Sequence, residues 1–312
     1  LVVAQGIESY AVGHLFGLGG ATPNRQFGLG GTIASVHDYG FGNPAFAAAQ
    51  QRPHASVRGV FTDFDCGLNL SGFQAHYVLP LKPNHSGLQV TVYDLSSNPG
   101  TVITGGGPTL IGLDQTDIAL HYGRRFSNRW LVGVGLAPYG KGELNLAVPG
   151  GPTVLNVRSE EDRGARLGMA YELGPDSYVG LVYDNYKDKV SASGLAVGAP
   201  VTGKSKVELL AAGMSKRFGE RLLLAAEYQW TEVRAFGAEA SQSGWHGGAE
   251  LTLSPMWRLR SGISDGFMTA GMGYERGEWT FDYAYVGNWN AEAVRAMLGS
   301  SDTHMFSAVY RW

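Results

Sequence analysis

The sequence is poor in cysteine, in charge and in long apolar runs. Its one cysteine, Cys66, excludes a disulfide framework and a multi-thiolate metal site. Only 16% of the 312 residues are charged, and the net charge is −3. Globular domains carry about a quarter charged residues. Nothing here attracts an anionic partner, and no nucleic acid is expected. No window reaches ~18 uninterrupted apolar residues, which removes transmembrane helices and leaves membrane-spanning strands open.

Helical periodicity is also scarce. From about residue 54 the dominant signal has period two, the mark of strands with two unlike faces. In Trp279-Thr280-Phe281-Asp282-Tyr283-Ala284-Tyr285-Val286 the odd positions are all aromatic and the even ones smaller or polar. Leu222, Leu224, Ala226, Tyr228 and Trp230 alternate likewise with Leu223, Ala225, Glu227, Gln229 and Thr231. So do Trp130, Val132, Val134 and Leu136, then Ala165, Leu167, Met169 and Tyr171, and finally Phe306, Ala308, Tyr310 and Trp312.

Cutting at Gly, Pro, Asn and Asp predicts fourteen strands, over 54–66, 70–81, 87–98, 114–125, 129–141, 154–173, 176–189, 204–218, 221–235, 242–253, 256–264, 267–274, 278–289 and 301–312. Tight connections such as 127–128, 174–175, 219–220 and 254–255 alternate with longer ones such as 98–113 and 144–153, although those after the first and eleventh strands are short too. Short turns at one rim and longer loops at the other characterise an outer-membrane barrel. The apolar face carries aromatics near strand ends, as lipid interfaces favour. The opposite face mixes small residues with Arg166, Glu227, Glu250, Arg258, Arg260 and Asp282, charges expected to pair with one another or with a plug. A barrel of this size is too wide for its own side chains to fill. The fold class predicted is therefore all-β: a transmembrane antiparallel β-barrel of about fourteen strands over 54–312, with residues 1–53 as an N-terminal plug.

That N-terminal segment lacks the alternation and is rich in glycine, with Phe-Gly-Leu-Gly-Gly at 16–20 and again at 27–31. Its start, Leu1-Val2-Val3-Ala4-Gln5, is consistent with the stub of a signal peptide.

The run Gly28-Leu29-Gly30-Gly31-Thr32-Ile33-Ala34-Ser35-Val36-His37-Asp38, followed by Asn43-Pro44-Ala45, resembles the hatch of the FadL-type outer-membrane transporters. The C-terminal runs 259–262, 271–274 and 303–312 are similar as well. The resemblance implies passive passage of hydrophobic, fatty-acid-like molecules across the outer membrane of a diderm bacterium. It also implies a hatch and gate at Gly30, Gly31, Asp38, Asn43, Pro44 and Ala45, and a lateral gap in the wall. The loops are shorter than such transporters carry. A related PorV-like barrel, docking secreted or surface proteins, is the alternative. Partners expected are outer-membrane lipids and either a hydrophobic small molecule or such a protein.

Candidate apolar lumen residues are Phe16, Leu18 and Phe27 from the plug and Leu131, Leu223 and Val286 from the wall. They serve either to bind ligand or to pack the plug. Residues 198–205 match the phosphate-loop pattern, but such a loop needs a following helix, and 206–218 alternates as a strand. No nucleotide is expected. His54 and Ser56 share a strand face without an identifiable orienting residue, so no enzyme is predicted. The eight histidines lack metal-ligand spacing, and no cofactor is expected. Residues 291–298 form the one candidate short helix in the last long loop.

Overall fold

A computed structural model of the chain describes residues 24–29, 31–37, 42–104, 107–235, 238–288 and 299–312. From His54 onward the chain is one antiparallel sheet that closes on itself. Its strands are β1 (His54–Phe64), β2 (Asn69–Lys82), β3 (Ser86–Asn98), β4 (Gly100–Thr104), β5 (Gly107–Arg125), β6 (Trp130–Ala147), β7 (Thr153–Gly174), β8 (Ser177–Ser193), β9 (Val201–Phe218), β10 (Leu222–Ala235), β11 (Ala238–Thr252), β12 (Trp257–Ser264), β13 (Phe267–Arg276), β14 (Trp279–Gly287) and β15 (Ser301–Arg311). Fourteen of them build the wall, and the short β4 pairs with the beginning of β5 alone. β1 pairs with β15 along its whole length, and β3 pairs with β5 from Ser86↔Arg124 to Ser96↔Asp114. Closure gives each of the fourteen wall strands a partner on both sides, the condition for strands to cross hydrocarbon.

The alternation sets the two faces as expected. Trp279, Phe281, Leu224, Tyr228, Leu167, Met169, Val134, Leu136, Phe306 and Tyr310 point outward and are exposed. Their neighbours Thr280, Ala284, Leu223, Ala225, Glu227, Ala170, Leu131 and Met305 point inward and are buried. At one rim the outward aromatics touch around the wall. Tyr77 stacks on Trp312 at 5.9 Å, Trp279 meets Tyr310 at 4.9 Å, Trp257 meets Tyr274 at 4.6 Å, and Trp130 meets Tyr171 at 4.9 Å. Such a belt suits a membrane–water interface.

This is the rim of the tight turns, among them 83–85, 126–129, 175–176, 219–221 and 277–278. Asn84 and Asp176 take left-handed backbone there, with φ of 55° and 47°. At the other rim the strands run further than the sequence suggests. The stretch 98–113, expected as a loop, contains β4 and the start of β5, paired from Gly100↔Ile111 to Thr104↔Gly107. β6 continues to Ala147, β8 to Ser193, and β11 begins at Ala238. Strands β5 to β9 have 17 to 22 residues, whereas about 9–11 span a bilayer. Their ends form a raised wall on one side, where Gly, Pro and Asn are tolerated because no hydrocarbon demands alternation. Residues 201–205 already belong to β9 and no helix follows, so the phosphate-loop geometry is not formed. The candidate helix 291–298 lies outside the described residues.

Candidate functional site: the lumen and the N-terminal segment

The described residues between 24 and 50 are held by side chains that the strands turn inward. The helical turn Asn24–Gly28 carries Arg25, whose guanidinium donates twice to Glu250 at 2.9 Å and once to the His37 carbonyl at 2.7 Å. Glu250 also accepts from Arg260 at 2.8 Å, and Arg260 reaches Asp282 at 2.5 Å. Glu227 accepts the backbone N–H groups of Ile33 and Ala34 at 3.0 and 2.7 Å, while Gln229 donates to the Gly31 carbonyl at 2.9 Å. Arg166 binds Asp184 through two bonds of 2.6 Å and donates a third, of 3.1 Å, to the Gly42 carbonyl. A buried charge is tolerated only when paired and hydrogen-bonded. The inward charges accordingly bind one another and this segment.

Asn43 ties the segment to itself and to the wall. Its amide donates to the carbonyls of Ala34 at 2.8 Å and Met169 at 2.9 Å, and its Oδ1 accepts from Ala45 N at 3.0 Å, capping the 3-10 turn Pro44–Ala49. That turn is buried throughout. Ala45 and Phe46 pack on Leu131, Ala170 and Tyr178, with the Phe46 and Tyr178 rings 5.0 Å apart. Ile33 and Ala34 pack on Val182, Leu209 and Ala211, and Leu29 and Val36 on Leu223 and Ala225. Backbone meets backbone because inward glycines leave room. A methyl group at Gly123, Gly133, Gly168 or Gly180 would overlap Pro44, Ala45, Asn43 or Ala34. Burial pulls the imidazole of His37 down to about 4, with Arg25 and His54 acting in the same direction and Asp176 against it.

Beyond this seat the inner wall is layered. On β3 the inward residues run Gly87, Gln89, Thr91, Tyr93, Leu95 from the turn rim to the loop rim. On β5 the reverse order reads Gly123, His121, Gln115, Leu113, Ile111. On β2 it reads Val78, His76, Gln74, Leu70. A middle layer is thus polar, with Arg58, Gln74, His76, Gln89, Thr91, Gln115, His121 and Asp188 buried in it. The layer nearest the loop rim is apolar. Phe64, Leu70, Tyr93, Leu95, Ile111, Leu113, Leu144, Leu155, Val157 and Val190 form one buried cluster there, with Cys66 packed against it.

The wall is irregular at one height. The β6–β7 ladder pairs Ala137 with Gly164 and resumes only at Lys141↔Glu160. β5–β6 shifts register between Ile118 and Leu120, and β7–β8 between Glu161 and Arg163. Pro138 sits in this stretch of β6 and has no N–H to give the ladder. Exposed side chains switch from Val134 and Leu136 to Tyr139, so the strand changes faces at a bulge. Arg166 and Gly42 lie just on the turn-rim side of the interruption.

Of the residues expected to gate, Asn43, Pro44 and Ala45 form the capped turn on the glycine row. Gly31 has φ of 83° and accepts from Gln229. Gly30 and Asp38 lie outside the described residues, as do Phe16, Leu18 and the side chain of Phe27. Of the apolar candidates, Leu131 and Leu223 lie beneath the N-terminal segment, and Val286 packs with Val60, Ala284 and Met305. Arg25 was missed, because a lone arginine in a Gly-rich stretch carries no pattern. The apolar cluster at the loop rim was missed because Ile111, Leu113, Leu144 and Val190 lie beyond the expected strands, and because closure, not any one strand's sequence, brings them onto Phe64, Leu70, Tyr93, Leu95, Leu155 and Val157.

No protein-family model matches the chain, and no curated protein does. Solved structures do. The toluene transporter TbuX of Ralstonia pickettii superposes with a TM-score of 0.66 at 16% identity, over 95% of this chain and all of that one (100%). The toluene transporter TodX of Pseudomonas putida gives 0.61 at 15% identity, covering 92% and 96%. A FadL homologue of Pseudomonas aeruginosa gives 0.61 at 12% identity, covering 93% and 98%. The fold is that of the FadL-type barrel.

Proposed function

We propose that this chain is an outer-membrane channel through which hydrophobic small molecules pass without energy input. The loop rim faces outward and the turn rim the periplasm, the arrangement usual for such barrels. The observation that carries the reading is the apolar inner layer at the loop rim. A water-filled pore has no use for buried Leu70, Leu95, Leu113 and Leu155 across its mouth, whereas an apolar solute leaving water gains by meeting them. The names borne by the neighbouring structures, toluene transporters among them, supply the class.

The N-terminal segment bars the direct way to the turn rim. A hydrophobic solute also has no reason to enter the periplasm when hydrocarbon is beside it. The unpaired stretch between β6 and β7 supports a sideways exit into the membrane, immediately outward of the Arg166–Asp184 pair. Residues Gly30, Gly31, Asp38, Asn43, Pro44 and Ala45 then act as the hatch. Leu131 and Leu223 hold it by packing, and the loop-rim cluster takes the ligand's apolar surface.

The test is uptake of radiolabelled toluene by diderm cells stripped of their own hydrophobic channels. The chain should raise the rate. Leu113→Lys, which places a charge in the apolar layer, should return it to the background while the protein still migrates as a folded, heat-modifiable barrel. Uptake unaffected by Leu113→Lys would contradict the route.

A further inference from the structure

The polar layer between the hatch and the apolar mouth is more specific than a hydrophobic channel requires. Its centre is Gln89, whose side chain points inward from β3 and is 1% exposed. Neither its Nε2 nor its Oε1 has a hydrogen-bond partner among the described residues. Beside it across the β3–β5 ladder stands His121, and His76 holds Thr91 at 2.7 Å. Gln115 donates to Asp117 at 2.5 Å, and its Oε1 is also unmatched. An amide buried with both ends open is costly, so such groups mark places where something else completes the bonding. The same strand carries Tyr93 and Leu95 on the same face toward the apolar mouth, at ~3.4 Å per residue. A polar end is therefore placed below an apolar body.

Resting on the transport reading above, we infer that the middle layer selects uncharged molecules with a hydroxyl or similar group at one end, and that Gln89 is the residue that recognises that group. An amide offers two donors and one acceptor, the complement of a hydroxyl that both gives and takes. Charge argues against an anionic end. A carboxylate would have to shed its hydration to be buried in this layer, beside the carboxyl groups of Asp117 and Asp188. The substrates favoured are thus aryl or alkyl alcohols and phenols, ahead of pure hydrocarbons and well ahead of fatty acids.

The experiment compares uptake of benzyl alcohol, toluene and benzoate by cells carrying the chain, each against cells without it, at neutral pH. Benzyl alcohol should exceed toluene by about tenfold, the worth of one neutral hydrogen bond, and benzoate should stay at background. Gln89→Leu should bring the ratio of benzyl alcohol to toluene uptake down to about one, while Gln89→Asn should keep part of the preference. Equal rates for alcohol and hydrocarbon, a preference that survives Gln89→Leu, or uptake of benzoate would each overturn the inference and leave the channel standing. No uptake of any of the three would overturn the channel and the inference together.

Discussion

Gly133 of β6 and Gly168 of β7 are register partners, and the Asn43–Pro44 link lies across both. Gly123 of β5 pairs with Gly133 on the other side, so three adjacent strands offer bare backbone to the capped turn. Gly168→Val should displace that turn without preventing barrel closure, since the wall ladder does not use the missing side chain. The check is single-channel conductance in planar bilayers. The native protein should conduct small ions little, and Gly168→Val should conduct severalfold more. An unchanged trace would mean the segment does not close the lumen.

A second expectation concerns Glu250, shared by Arg25 of the segment and Arg260 of the wall. Removing one member of a buried ion pair typically costs about 3–5 kcal/mol, because a charge is left without its partner. Glu250→Ala should therefore release the helical turn Asn24–Gly28 and open Arg25 to trypsin in the folded barrel. Double replacement of Arg25 and Glu250 by Met and Leu should restore protection. Protection that survives Glu250→Ala alone would show that the ion pair does not hold the segment.

The seat should also respond to acid. His37 has its imidazole pulled down to about 4 in place and returns to about 6.5 once released into water. Between those values the released segment binds more protons than the seated one, so seating is fully favoured above about pH 6.5 and weakens as pH falls toward 4. Conductance should rise from pH 7.5 to pH 4.5, and His37→Gln should flatten the response. An equal rise in His37→Gln would assign the effect to other groups.

Most of the fold was legible because hydrocarbon imposes a strict rule on outward positions: Trp279, Phe281, Leu224, Tyr228, Phe306 and Tyr310 all obey it. Where the wall rises clear of the membrane the rule lapses. Gly100, Thr104, Gly107 and Pro108 then read as a loop although they pair as a hairpin. The charges Glu227, Glu250, Arg166 and Arg260 stood out as inward from alternation alone, but their partners on residues 24–50 are set by three-dimensional closure. The glycine row showed only as small residues, because nothing in a strand's own sequence reveals what approaches it. Pro138 was the available signal for the β6 bulge, since a wall strand has no place for a residue without an N–H unless pairing fails there.

Which side of the sheet meets hydrocarbon can be decided on one strand. In a Cys66→Ser background, nitroxide labels placed singly at residues 88 to 95 would be read by electron spin resonance in liposomes for collision with oxygen, which concentrates in the bilayer. Collision should show a period of two along β3, high at Leu88, Val90 and Val92 and low at Gln89, Thr91 and Tyr93. A flat profile, or one with the maxima at 89, 91 and 93, would contradict this facing of the sheet.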